Sequence, residues 1–124
     1  MPNKLVITLL SLLLVSISVF AFAPGQFTPA WVVNHDKFSH MLVFFVLSVM
    51  LSLSFPKLTL ITHLFSLLSF AVLIELVQYL FVGRGFSIED LAYDFLGILV
   101  FYSLVFWAKY KDDLKQFFLT LIRS

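Results

Sequence analysis

Four long apolar runs, separated by short polar or Pro/Gly-bearing breaks, set the pattern of the chain. They cover Leu5–Ala23, Phe38–Phe55, Leu58–Val82 and Ile88–Ala108. A membrane-spanning helix needs about 20 mostly apolar residues, within a range of about 17–25, so each run predicts a transmembrane helix. Pro24-Gly25 predicts the end of the first, because Pro cannot continue a helix and Gly opens a turn. Pro56-Lys57 leaves so short a link that the second and third helices are expected to form an antiparallel hairpin. Gly83-Arg84-Gly85 separates the third from the fourth. Beyond Ala108, the segment "KYKDDLKQFFLTLIRS" places Leu114, Phe117, Phe118 and Leu121 on one face at helical spacing. It predicts an amphipathic helix over 109–124, lying on the inner membrane surface. The expected architecture is an all-α membrane protein with a single domain over 1–124: four transmembrane helices and an amphipathic tail.

The first run also has features of a secretory signal, with Lys4 before the apolar stretch and Ala21-Phe22-Ala23 as a small-x-small site. Pro24 would follow the cut directly, a poor position for cleavage, and the run exceeds a usual signal core. An uncleaved anchor is expected.

Composition supports the membrane reading. Hydrophobic residues make up 61% of the 124 and charged ones 12%. The mean hydropathy is +1.05. A soluble domain is nearer half apolar and a quarter charged, and too little polar surface remains here to cover a soluble core. The net charge of +1 gives no basic field for nucleic acid, and the absence of Cys excludes disulfides, thiolate metal sites and Cys nucleophiles.

Charge placement sets the expected orientation. With the N-terminus inside, Lys4, Lys57, Lys109, Lys111, Lys115 and Arg123 are cytoplasmic, and only Lys37 and Arg84 are external. The positive-inside bias predicts an N-in/C-in topology in the cytoplasmic membrane. Trp31 and Trp107 fit interfacial anchors on opposite sides.

On that topology the unusual polar residues meet at one depth. Asp36 and His40, four apart, share a face at the outer end of the second helix, with Lys37 beside them. Glu75 and Gln78 lie in the outer half of the third helix. Arg84 is in the following loop, and Asp90 and Asp94 open the fourth helix. Glu75 is the hardest to explain by packing alone. It lies about seven residues before the helix end, or some 10 Å deep at about 1.5 Å per residue, and an ionised group at the bilayer centre costs roughly 2.5–3.5 kcal/mol. Arg84, Lys37 and His40 are its expected partners. Plainer roles exist beside each functional one. Asp36 suits a helix cap, Ser87 and Asp90 a Ser-x-x-acid capping box, and Glu89 a solvated first-turn acid. Gln78 suits an interhelical hydrogen bond, Lys37 and Arg84 head-group anchors, and His63 a structural position. Gly97 suits close approach of another helix.

These residues carry a resemblance. "DKFSHMLVF", with Asp36, Lys37, His40 and Phe44, resembles the Asp-Lys-x-x-His-x-x-x-Phe segment of VanZ-like membrane proteins. "ELVQYLFVGRGFSIEDLAYDFLG" resembles that family's second signature, with Glu75, Gln78, Arg84, Asp90 and Gly97 at the matching positions. The chain departs from it at Asp94, where the family usually has Asn; an ionised Asp accepts but cannot donate. That leaves Asp94 to take a proton or to pair with Lys37 or Arg84. The resemblance implies work on the bacterial cell envelope, in the context of tolerance to the glycopeptide antibiotic teicoplanin.

Together these readings suggest an outward-facing site that binds, and chemically alters or simply holds, an anionic envelope or lipid-linked molecule among membrane lipids. Lys37 and Arg84 would meet phosphate or carboxylate, with Asp36, Gln78, Asp90 and Asp94 completing the binding set. Glu75 and His40 are the acid/base candidates. His40 with Glu75, Asp36 and Asp90 offers nitrogen and oxygen ligands for a divalent metal, but no tight ligand motif is present, and neither a metal nor a cofactor is assigned. Two other classes compete: a small transporter or proton-coupled carrier, disfavoured by the apolar inner half, and a partner protein whose polar cluster only locks the bundle.

Overall fold

The computed structural model describes residues 3–23, 30 and 35–123. Among the described residues four long helices follow in order: α1 (Lys4–Phe22), α2 (Asp36–Ser54), α3 (Leu60–Val77, prolonged by a π-helical turn at Gln78–Val82) and α4 (Ile88–Arg123). All four are long and apolar enough to cross a membrane. Trp31 and the proposed stop at Pro24-Gly25 lie outside the described residues.

Two of the starts and the end of the π turn have a clear local cause. Asn3 accepts the Leu5 N–H and caps α1, and Thr59 accepts the Thr62 N–H and caps α3. At the end of the π turn, Gly83 takes a left-handed backbone with φ 71°, a conformation that costs Gly nothing. The N–H groups of Gly83 and Arg84 both return to the Gln78 carbonyl. His63, near the start of α3, is buried, and its Nε2–H donates to the Phe55 carbonyl at 3.1 Å. It thus satisfies an acceptor at the end of α2 and fills the structural role expected of it.

The core is small and shared. Leu10 from α1, Phe44 and Leu47 from α2, Leu67 and Ala71 from α3, and Ile98 from α4 pack together, with Ile98 fully enclosed. Large apolar side chains such as Ile61, Phe65, Phe81, Phe106 and Ile122 point outward. In water that surface would drive aggregation; in a bilayer it is the proper outer face.

The tightest crossing joins α2 and α4. A Cβ placed on Gly97 would overlap the Met41 carbonyl oxygen and sit 3.0 Å from Phe45 N. Gly97 thus lets two backbones touch, as its position suggested, and helices without a hydrophobic drive between them associate through such small-residue contacts.

The fourth helix differs from expectation. It does not stop near Ala108 but runs unbroken to Arg123. At about 1.5 Å per residue its 36 residues extend for about 54 Å, well beyond a hydrocarbon core of about 30 Å. No Pro or Gly follows Gly97, so nothing in the backbone breaks it. Every described residue from Ser103 onward is exposed, and Lys111 Nζ lies 5.3 Å from the Trp107 ring centre.

Candidate functional site

The polar site is built where the start of α2, the end of α3 and the start of α4 come together. His40 Nδ1 lies 2.8 Å from Asp94 Oδ1. With Asp94 ionised, Nδ1–H is the donor, because a carboxylate only accepts. Asp94 is 1% exposed, and its pairing with His40, rather than with Lys37 or Arg84, corrects the expected partner. Gly97, one turn further along α4, is what brings Asp94 this close to α2.

The other ring nitrogen faces two more carboxylates. His40 Nε2 stands 3.7 Å from Asp36 Oδ1 and 3.6 Å from Asp90 Oδ2. The remaining oxygens of those acids turn to Lys37, whose Nζ is 2.6 Å from Asp90 Oδ1 and 3.8 Å from Asp36 Oδ2. Lys37 also pairs with Glu89 at 3.4 Å. Glu89 is exposed, as expected of a first-turn acid, but it is a member of the ion-pair group rather than merely solvated.

Ser87 connects this group to α3. Its Oγ accepts the Asp90 N–H at 3.1 Å, which is the forward half of a capping box. The reverse half is replaced. The Ser87 N–H donates to Glu75 Oε2 at 3.0 Å, so a residue of α3 caps the entry to α4. Relieved of that bond, the Asp90 carboxylate is free to serve Lys37 and to face His40.

Glu75 is 1% exposed, and its second oxygen, Oε1, has no hydrogen-bond partner among the described residues. It interacts electrostatically with Asp90, His40 and Asp94. The expected pairing with Arg84 is not present. Arg84 is exposed in the loop and forms no ion pair among the described residues. Its backbone is tied to Gln78, but its guanidinium is not drawn into the cluster. Glu75 likewise makes no salt bridge with Lys37 or His40. Gln78 is half-buried at the start of the π turn, a rare helical form that is frequent at functional sites.

The arrangement is acid-rich. Asp36, Glu75, Glu89, Asp90 and Asp94 gather around Lys37 and His40. Toward the other end of the bundle the polar groups are fewer, and the buried Ser54 Oγ has no hydrogen-bond partner among the described residues. Ser52 pairs with Tyr102 at 3.2 Å, and the His63 ring stacks on Tyr102. Sequence reading missed Ser87 as the link between Glu75 and Asp90. The cue was present in the Ser-x-x-acid spacing, but nothing local shows that a residue twelve positions upstream takes the serine's N–H.

Four apolar spans around a one-ended polar cluster define a multi-pass membrane protein. The chain belongs to the VanZ/LLP1 family, whose model matches residues 4–109. The match takes in α1, α2, α3, α4 as far as residue 109 and every residue of the cluster, and it places the chain in a family associated with teicoplanin resistance. Neither the curated proteins nor the solved structures contain a match to the chain.

Proposed function

We propose that this protein holds an anionic envelope or lipid-linked molecule at the outer face of the cytoplasmic membrane, with the cluster around His40 as its site. The observation that carries this reading is the placement of Asp36, Lys37, His40, Glu75, Asp90 and Asp94 at one end of an otherwise apolar bundle, with Arg84 exposed in the adjoining loop. Buried ionisable groups in a membrane helix are expensive and are kept where they serve a pathway or a ligand. Arg84 is the cation left to meet a phosphate or carboxylate, which a guanidinium can grip with two parallel bonds. Lys37 is committed to carboxylates, so its part is to hold the site together rather than to contact the anion. His40, kept in one tautomer by Asp94, and the deep Glu75 supply acid/base groups for any change made to the bound molecule. The family association with teicoplanin supports an envelope target. The outward orientation rests on the Lys/Arg distribution.

A second reading is that the cluster only fastens α2 to α4, favoured by the closed Lys37–Asp90 bond. The two are separated by comparing teicoplanin tolerance with membrane abundance for Arg84→Ala and His40→Gln. Tolerance lost at normal abundance supports a site. Tolerance and abundance lost together, or both kept, support a fastening.

A further inference from the structure

The geometry around His40 Nε2 points to a divalent-cation site, and we propose that Asp36, His40 and Asp90 ligate the ion, with Asp94 positioning the imidazole. One atom from each of the three ligands lies within 4.8 Å of the others. With Nδ1–H given to Asp94, Nε2 turns toward Asp36 Oδ1 at 3.7 Å and Asp90 Oδ2 at 3.6 Å. Those separations exceed the usual hydrogen-bond range of 2.7–3.2 Å, so a proton on Nε2 bonds neither oxygen well. They suit an ion between the three atoms instead. Ligand atoms about 2.1 Å from a tetrahedral ion stand about 3.4 Å apart. Lys37 leaves this space open, because it uses the opposite oxygens, Asp36 Oδ2 and Asp90 Oδ1.

Two further features fit an ion. Asp94 is buried and accepts from the ring nitrogen that faces away from the site, which is how a carboxylate orients a metal-bound histidine and strengthens it as a ligand. Glu75 is the independent sign. It is enclosed, one oxygen lacks a donor among the described residues, and it interacts electrostatically with His40 and Asp90. A water carried by the ion would offer Oε1 a donor. A mixed nitrogen and oxygen set selects a cation of the Mn²⁺ or Zn²⁺ kind.

The ion also resolves an electrostatic conflict, a step that rests on the proposed function. An acid-rich cluster repels an anion, whereas a divalent ion held by Asp36, His40 and Asp90 offers an open position to a phosphate or carboxylate oxygen, with Arg84 gripping the same group from the loop.

The test is Mn²⁺ titration of the full chain in detergent, followed by electron paramagnetic resonance of free and bound ion. One saturable Mn²⁺ per chain is expected, with a pulsed-resonance ¹⁴N coupling from a single imidazole. His40→Gln should abolish the coupling and weaken binding at least about tenfold; Asp94→Asn should alter the coupling and weaken binding about 10- to 100-fold. Asp112→Asn, a carboxylate on the far part of α4, should bind as the unmodified chain does. Absence of stoichiometric binding by the folded, unmodified chain overturns the proposal, as does bound Mn²⁺ without ¹⁴N coupling. Because no envelope molecule is present, these outcomes are independent of the proposed function. An ion site without an anionic ligand in cells would fail that reading and leave this one standing.

Discussion

Glu75 Oε2 accepts the backbone N–H of Ser87 at 3.0 Å, so a carboxylate from the third helix caps the fourth. That single bond ties the two helices across their connecting loop and leaves the Asp90 carboxylate for Lys37 and His40. Removing the acceptor strands a part-buried N–H, which typically costs about 1–3 kcal/mol. Glu75→Ala should therefore lower thermal stability in detergent by about that amount. Glu75→Gln keeps a carbonyl for Ser87 and should lose less than about 1 kcal/mol. An alanine variant that melts with the unmodified protein would show that the cap is not formed.

Arg84 carries the opposite expectation. It is exposed and pairs with no described carboxylate, and substitutions at such surface positions usually change stability by less than about 0.5 kcal/mol. Arg84→Gln should melt like the unmodified chain. Combined with Glu75→Gln, its effect should add without coupling, to within about 0.5 kcal/mol. A double-mutant cycle with a larger coupling would restore a direct Glu75–Arg84 pair.

The Gly97 crossing is the third test. A methyl group there meets the Met41 backbone, which cannot move aside as a side-chain tip can. Overpacking of this kind costs about 1–3 kcal/mol. Gly97→Ala should lower the melting temperature and disturb the His40–Asp94 bond one turn away. Gly85→Ala, where a methyl meets nothing within 4 Å, should do neither. Equal melting of the two variants would mean that α2 and α4 are not in backbone contact.

Much of this structure was legible in the sequence because spacing along a helix is local. Asp36 and His40 share a face through their four-residue separation, and His40 does stand 3.7 Å from Asp36. The apolar runs gave the four spans, and a lone Gly in an apolar helix gave the close crossing. What the sequence could not show is which distant groups meet. Arg84 was the nearest cation to Glu75 along the chain, yet the loop turns at Gly83 and presents Ser87 instead. Asp94 could have served Lys37 or Arg84, but the helix crossing sets it against His40. The continuity of α4 past Ala108 was readable and was missed. The amphipathic spacing of 109–124 was read as a separate helix on the membrane surface, although no Pro or Gly separates it from the span before it.

Orientation has its own test. The Lys/Arg distribution predicts that both termini lie in the cytoplasm and that the His40 cluster faces outward. A reporter fused at Ser124 should be active only inside, and a Cys introduced at Gln26 should label from outside. External activity at Ser124 would place the cluster on the cytoplasmic side and redirect the search for its ligand.

The central claim is that the cluster holds an anionic molecule, and mass spectrometry of what co-purifies with the protein addresses it most directly. The unmodified chain, purified in mild detergent, should retain a phosphate- or carboxylate-bearing amphiphile in near-stoichiometric amount. Arg84→Ala, at equal membrane abundance and equal melting temperature, should lose that species while its zwitterionic lipids stay unchanged. Identical profiles for the two proteins, with no anionic species enriched in either, would contradict the account.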